Sequence, residues 1–370
     1  IILIYNISDG AGHLLEETDY LYKLNIKNKK IFKDKKVFWI TKKTNLFSEF
    51  KKEFGKNFKF MKIILSKKIF YLVLPILFTN NRKITFDCGL GQQSYNLNDQ
   101  KIDFNYNSIL QTGIRMKYKE TYLKKSIQIK NNYNSKYKSF INKNYSKKEI
   151  SEFFYKLGIK KSKKIVLVQL NNRKINQSAK PTQAKEFESL FKYLKKKNYQ
   201  IILIGREKMP KIFKKYNVID YANSKFSSFI NDIKIFHISD FSIISASGLY
   251  FIPYFLRKKF LYINGWGFSE NLGHNNSLQW PALVKSKNGF LKLSKQKKIY
   301  VDSFNLNHSV IPLKNTIKNI NKNELVQSFK ELENSRKKKK FRKYHKLFLT
   351  LSGNNFPDLF LKKYNNLIND

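Results

Sequence analysis

Short apolar runs alternate with amphipathic stretches along most of this chain. Ile1–Ile7 is an apolar run of strand type, followed by a turn over Ser8–Gly12. A helix is expected from about His13 to Leu24, although Leu14, Leu15, Tyr20 and Leu21 share one face only in part. Val37–Thr41 reads as the next strand. Asn45–Phe54 reads as a helix carrying Leu46, Phe47, Phe50 and Phe54 on its apolar side. Phe60–Leu65 and Ile84–Asp87 read as further strands. Strands in alternation with helices predict a parallel, layered α/β domain.

Residues 130–148 are rich in Asn, Lys, Tyr and Ser and lack periodicity, so they read as a linker. A helix over Lys147–Leu157 is expected to stop at Gly158. A second alternating series then follows. Ile165–Leu170, Gln200–Gly205 and Val218–Asp220 read as strands, and Gln183–Lys197, Lys208–Tyr216 and Ser227–His237 as helices. Residues 240–265 predict a strand, an elbow of small residues at Ser245-Ala246-Ser247-Gly248, a short helix and another strand. Glu324–Glu333, Lys337–Leu351 and Pro357–Ile368 read as helices. The expected organisation is a first domain over 1–145, a second over 146–335, and terminal helices over 336–370.

Composition narrows the function less than it first suggests. The 370 residues and 42% hydrophobic content support two packed domains rather than a disordered chain. A formal net charge of +47 invites a nucleic-acid reading. Lys is spread along the whole chain, however, and Arg, which leads base-edge and bidentate phosphate recognition, is sparse. A coding bias toward Lys, Asn, Ile, Phe and Tyr accounts for such a surface. Attraction to anionic membranes or glycans is the next reading, and no nucleic-acid partner is expected. The single cysteine, Cys88, excludes an internal disulfide framework and any multi-cysteine metal site, in keeping with a cytoplasmic protein. No apolar run reaches the roughly 20 residues that cross a bilayer. Residues 69–78 come nearest, and Pro75 interrupts them. The chain starts at Ile1 without Met, so it reads as trimmed or as a piece of something longer.

Four strand ends carry candidate chemistry. Gly10-Ala11-Gly12-His13 joins the first strand to the first helix, and Leu15 stands where a dinucleotide fingerprint needs its third glycine. At a helix N-terminus the dipole disfavours the imidazolium, which leaves His13 neutral as a general base must be. Glu16, Glu17 and Asp19 follow, and one of them could orient His13 or act as the base. A capping histidine and ordinary first-turn acids are the plain alternatives. Arg173, beyond the strand Ile165–Leu170, is placed to neutralise a diphosphate, with Lys180 in the same loop. Gly205-Arg206 ends the next strand, as a turn or as a phosphate or base contact. The elbow Ser245–Gly248 offers hydroxyls and backbone N–H groups to an anion, or is simply a tight turn. Asn264, Gly265 and Trp266 close the following strand.

Several chemistries are set aside. There is no Gly-Lys-Ser/Thr of a nucleoside-triphosphatase loop, no Gly-x-Ser-x-Gly elbow and no His-Glu-x-x-His. No Asp-x-Asp pair occurs, which removes the usual metal–diphosphate clamp and favours a leaving diphosphate held by Arg, Lys and helix N–H groups. No metal and no cofactor are expected.

Taken in order, these pieces resemble a bacterial family of glycosyltransferases of GT-B architecture, distantly similar to lipopolysaccharide heptosyltransferases. The resemblance is carried by Gly12-His13-Leu14 with Glu17, by Arg173, and by Val218-Ile219-Asp220-Tyr221-Ala222. Ser245-Ala246-Ser247-Gly248, Leu261-Tyr262-Ile263-Asn264 and the tail Gly353-Asn354-Asn355-Phe356-Pro357-Asp358-Leu359-Phe360-Leu361 complete it. It spans nearly the whole chain and is weakest over 65–145. It implies two Rossmann-like α/β domains facing across a cleft, with C-terminal helices crossing back to the first. A nucleotide-sugar donor would be held mainly by the second domain, through Arg173, Lys180, Gly205, Arg206, Tyr221, Ser245, Ser247, Gly248, Leu249 and Asn264, with Gly10 and Gly12 of the first domain beside its diphosphate. A glycan or lipid-linked acceptor would approach the first, with His13, Glu16 or Glu17 as base. Many GT-B enzymes with Gly-His after the first strand use that histidine, whereas heptosyltransferase-like enzymes place an acid nearby. The implied setting is the cytoplasm, with contact to the inner membrane.

Overall fold

The computed structural model describes residues 2–6, 11–27, 37–41, 44–65, 85–88, 136–160, 162–171, 182–265, 276–292, 295–296, 316–334 and 355–367. The chain divides into two compact units, Ile1–Asn142 and Lys143–Asp370.

In the first unit, β1 (Ile2–Asn6), α1 (Ala11–Lys27), β2 (Val37–Thr41), α2 (Asn45–Phe54), β3 (Lys62–Leu65) and β4 (Thr85–Cys88) follow one another. The strands form one parallel sheet in the order β3-β2-β1-β4. The helix α2 starts where Thr44 Oγ1 accepts from Phe47 N at 3.1 Å. It buries Phe47, Phe50 and Phe54, as their spacing predicts. Trp39 of β2, fully buried, meets Phe47 edge-on at a ring separation of 5.0 Å.

This aromatic cluster also takes in part of the stretch 130–148 read as a linker, within which the two units divide after Asn142. Phe140 lies 5.2–5.5 Å from the rings of Phe50, Phe54 and Phe58, and Ile141 is fully buried. Composition marked that stretch as polar, but two apolar side chains suffice to dock it on the first unit.

The second unit begins with α3 (Lys147–Leu157). A reciprocal capping box between Ser146 and Glu149 starts this helix, and Gly158 ends it at φ +65°. There follow β5 (Ile165–Gln169), α4 (Glu188–Lys196), β6 (Gln200–Ile204), α5 (Lys211–Lys214), β7 (Ile219–Asp220) and α6 (Phe229–Ile238). Then come β8 (Phe241–Ser245), α7 (Phe251–Phe255), β9 (Lys259–Gly265) and β10 (Ser277–Pro281). An antiparallel ribbon of β11 (Leu283–Ser286), β12 (Gly289–Phe290) and β13 (Thr316–Lys318) precedes α8 (Lys322–Glu333) and α9 (Asp358–Tyr364). Neither β10 nor the ribbon was expected from the sequence.

The main sheet is wholly parallel, in the order β7-β6-β5-β8-β9-β10. Counted from β5, that order is 3-2-1-4-5-6, the doubly wound arrangement of Rossmann-like domains. The first unit has the corresponding 3-2-1-4 start. Parallel strands buried on both faces need near-continuous apolar runs, and Ile165–Val168 and Ile201–Ile204 supply them. One face carries Val166, Val168, Leu203, Ile243 and Leu261 into a core shared with Phe191 of α4, Phe329 of α8 and Phe360 of α9. The helices α6 and α7 bury Ile233, Phe236 and Ile252 outside that cluster, on the other face.

The tail behaves differently from what the resemblance implied. Phe356, Phe360, Leu361, Tyr364 and Leu367 all join the core of the second unit. Glu331 Oε2 of α8 caps α9 by accepting from Asp358 N at 2.6 Å, and Phe360 meets Trp280 edge-on at 5.2 Å. The apolar side of this helix is therefore committed to the unit it follows in sequence. The helix expected over Lys337–Leu351 lies outside the described residues.

Candidate functional site

In a sheet of this order the strands on either side of the order reversal send their connections to opposite faces. A crevice opens there at the carboxyl ends. In the second unit that point lies between β5 and β8, so the relevant residues are Gln169–Asn171 and Ser245–Gly248. The elbow predicted from sequence occupies this position.

Its backbone is held from several sides. Ala246 N donates to Ile263 O at 3.1 Å, and Asn171 Nδ2 donates to Ala246 O at 3.0 Å. Ser245 Oγ donates to Gln169 O at 2.9 Å, which ties β8 to the end of β5. Ser247 is extended (φ −152°, ψ 146°), and its Oγ accepts from Leu249 N at 3.3 Å. A single 3-10 turn over Gly248–Tyr250 leads into α7. Ser247 and Leu249 are partly exposed and Gly248 is exposed, so this stretch of backbone is open to a ligand.

A buried polar chain runs behind the elbow. Ile320 N donates to Asn264 Oδ1 (2.8 Å), and Asn264 Nδ2 donates to Thr182 Oγ1 (2.9 Å). Thr182 N donates to Asn171 O (2.8 Å), and Asn171 then reaches Ala246 as above. The chain therefore leaves β5 at Asn171 and returns at Thr182 across one hydrogen bond. The loop bearing Arg173 and Lys180 starts and ends beside the elbow. Arg173, Lys180, Gly10 and Trp266 lie outside the described residues.

Gly205 closes β6 at φ +100°, with Arg206 exposed after it. It lies beside Gln169. A β-carbon on Gly205 would stand 3.1 Å from Gln169 Cγ and 3.9 Å from Leu249 Cδ1. The ends of β5 and β6 and the elbow thus converge on one point.

Three residues expected at the ligand are buried and engaged within the fold. Ser245 is fully buried, with its hydroxyl engaged by Gln169 O. Asn264 is buried, and both ends of its amide are engaged within the polar chain; its φ of +56° suits an asparagine. Tyr221 is fully buried and donates to Asp232 Oδ1 at 2.9 Å. Burial and the neighbouring Asp232 push its hydroxyl far up from the usual tyrosine range. Conversely, Gln169, Asn171 and Thr182 were not anticipated. The available signal was an amide ending the otherwise apolar run Ile165–Val168.

In the first unit, His13 falls in the first turn of α1, after the end of β1, and Glu17 lies one turn further on. Gly12 is buried, and Glu16 is 8% exposed. Asp19, a possible partner or substitute for His13, is buried and paired with the equally buried Lys23 on the same helix.

A cavity of ≈ 430 Å³ lies at the opposite, amino edge of the second sheet, lined by Lys164, Asp240, Phe241, Lys259 and Glu333. Its acids are engaged. Asp240 Oδ2 accepts from Ile165 N at 2.8 Å, and Glu333 accepts from Tyr193 and Tyr199. The carboxyl edge, where sheets of this order bind ligands, is the better site.

No family model matches the chain, and no curated protein does. Among solved structures it is similar to the ADP-heptose lipopolysaccharide heptosyltransferase II of E. coli. That match has 9% identity over 84% of this chain and 100% of the other, with a TM-score of 0.47. It is also similar to a glycosyl transferase of family 9 from Veillonella parvula, at 9% identity over 90% and 96% of the two chains, with a TM-score of 0.46. A third is the iron-containing dodecameric glycosyltransferase TibC of E. coli, at 11% identity over 91% and 77%, with a TM-score of 0.45.

Proposed function

We propose that this chain is a glycosyltransferase that moves a sugar from a nucleoside-diphosphate donor to a cell-surface glycan or lipid-linked acceptor. The observation that supports it most is the open elbow Ser247–Leu249 at the order reversal of a 3-2-1-4-5-6 sheet, beside the end of β6 at Gly205. Backbone N–H groups of the elbow suit an anion, and small residues let a diphosphate come close. Arg173, Lys180 and Arg206 are the cations proposed to share that charge.

In the proposed reaction the acceptor hydroxyl oxygen attacks the anomeric carbon. The bond from that carbon to the donor phosphate oxygen breaks, and the nucleoside diphosphate leaves with its electron pair. His13, or Glu16 or Glu17, takes the hydroxyl proton. The elbow and the cations stabilise the leaving diphosphate, in place of a metal clamp for which the sequence has no Asp-x-Asp pair. Inversion at the anomeric carbon follows from the family resemblance.

The charge of +47 is proposed to bring the protein to anionic lipid-linked acceptors. Among the described residues no helix is long and apolar enough to cross a membrane.

Incubating the intact protein with a panel of nucleotide sugars and lipid-linked acceptors tests the reading. Release of nucleoside diphosphate that depends on acceptor supports it. Failure to turn over any donor or to bind any nucleoside diphosphate, together with tight and steeply salt-dependent binding to mixed RNA or DNA, would replace it with a nucleic-acid-binding role.

A further inference from the structure

Gln169 takes no part in the proposed diphosphate contacts. It is the last residue of β5, at the order reversal, and is 6% exposed. Its register partners on the flanking strands, Ile204 and Ile244, are aliphatic and fully buried. Its Nε2 donates to the carbonyl of Leu170, which fixes the amide. Its Oε1 is buried and has no hydrogen-bond partner among the described residues. The side chain runs between the end of β6 and the elbow, as its 3.1 Å approach to a β-carbon on Gly205 shows. Leu249 Cδ1 closes on the same point from the elbow side.

A buried acceptor left without a donor destabilises the fold, whereas an apolar side chain of equal length would cost nothing of the kind. The amide is therefore hard to explain by packing. Its position is beside the elbow, and its oxygen is left wholly without a donor among the described residues, whereas its nitrogen already donates to Leu170 O. An oxygen of this type does not bind a diphosphate, which is itself only an acceptor. It needs a donor, and a nucleoside carries donors on its ribose and its base.

We propose that Gln169 is a specificity-determining residue of the donor site. Its Oε1 accepts a hydrogen bond from the nucleoside, either a ribose hydroxyl or a base N–H. This rests on the donor reading above.

Calorimetric titration of the intact protein and its Gln169→Met variant tests the proposal. The probes are uridine, adenosine, guanosine and cytidine diphosphates, the 2′-deoxy form of the tightest binder, and inorganic pyrophosphate. Gln169→Met is expected to weaken the preferred nucleoside diphosphate about tenfold, the worth of one hydrogen bond, and to leave pyrophosphate binding unchanged. Its melting temperature is expected to stay level or rise. If the ribose 2′-hydroxyl is read, the 2′-deoxy ligand is weaker in the unsubstituted protein and loses nothing more on substitution. If the 3′-hydroxyl or the base is read, the 2′-deoxy ligand loses as much as its parent.

Gln279 of β10 supplies the control. It is fully buried, and neither amide atom has a partner among the described residues. Gln279→Met should leave nucleoside-diphosphate affinity unchanged. An unaltered affinity in Gln169→Met, an equal loss for pyrophosphate, or an equal loss in Gln279→Met overturns the assignment of Gln169. An unsubstituted protein that binds no nucleoside diphosphate overturns the donor reading, and this one with it.

Discussion

Gly205 and Gln169 face each other across the ends of β6 and β5, so closely that a β-carbon on Gly205 would stand 3.1 Å from Gln169 Cγ. Gly205 also has φ +100°, a conformation that a residue with a side chain rarely adopts. Both effects act against Gly205→Ala. The backbone strain alone is worth about 1–3 kcal/mol, and relief of the contact must push the Gln169 side chain aside. Denaturant unfolding should show a loss of that order. If Gln169 reads the nucleoside, the same variant should bind nucleoside diphosphate more weakly. A fully stable Gly205→Ala would contradict the geometry.

Asn264 ties three segments together by donating to Thr182 and accepting from Ile320 N. Asn264→Ala removes both bonds and leaves Ile320 N buried without its acceptor. It also puts an alanine at φ +56°, which costs more than asparagine there. The expected loss is about 2–4 kcal/mol. Because Thr182 also closes the loop that carries Arg173 and Lys180, that loop should become the first site of proteolytic cleavage. Limited proteolysis with mapping of the fragments checks this.

The sequence carried the parallel sheets well and the site only in outline. Fully apolar runs such as Ile165–Val168 and Ile201–Ile204 declare buried parallel strands, because both faces of each are covered. β10 was invisible for the opposite reason. Its sequence, Ser277-Leu278-Gln279-Trp280-Pro281, alternates polar with apolar and ends in proline, yet all five residues are buried. The elbow was legible because small residues follow an apolar run. Which of its side chains face outward was not. Ser245 and Ser247 look alike in sequence, and only the register of β8 turns one hydroxyl onto Gln169 O and leaves the other at the surface. Gln169 is not legible as a site residue in sequence, since an amide closing a strand resembles any loop-facing residue until its burial is known.

Phe360 tests where the tail belongs. It is fully buried against Trp280, Phe356 and Tyr364 in the core of the second unit. Phe360→Ala should cost about 3–5 kcal/mol, as large cavities in packed cores do. The loss should appear as lowered hydrogen-exchange protection in β9, β10 and α8. Protection lost only in the first unit would mean that the tail packs there instead.

Glu333, Tyr193 and Tyr199 predict the pH limits of the second unit. Glu333 accepts from both tyrosine hydroxyls at 2.5 Å. Burial, and then the Glu333 carboxylate, push the Tyr193 hydroxyl up to about 12 from an ordinary 10.0. The same causes raise Tyr199. Burial opposes ionisation of Glu333, but the two hydroxyls together with Lys197 and Lys164 hold its carboxyl below the ordinary 4.5. The signs are opposite at the two ends. The raised tyrosines contribute stability that is complete below pH 10 and is lost as pH climbs toward about 12. The depressed Glu333 contributes stability that is present above pH 4.5 and is lost as pH falls through its folded-state value. Denaturation midpoints of the unsubstituted protein should therefore fall at both extremes. Tyr193→Phe should be less stable at neutral pH, with a shallower alkaline decline. Glu333→Gln should flatten the acid limb. An alkaline limb unchanged in Tyr193→Phe would show that this hydroxyl does not sense the carboxylate.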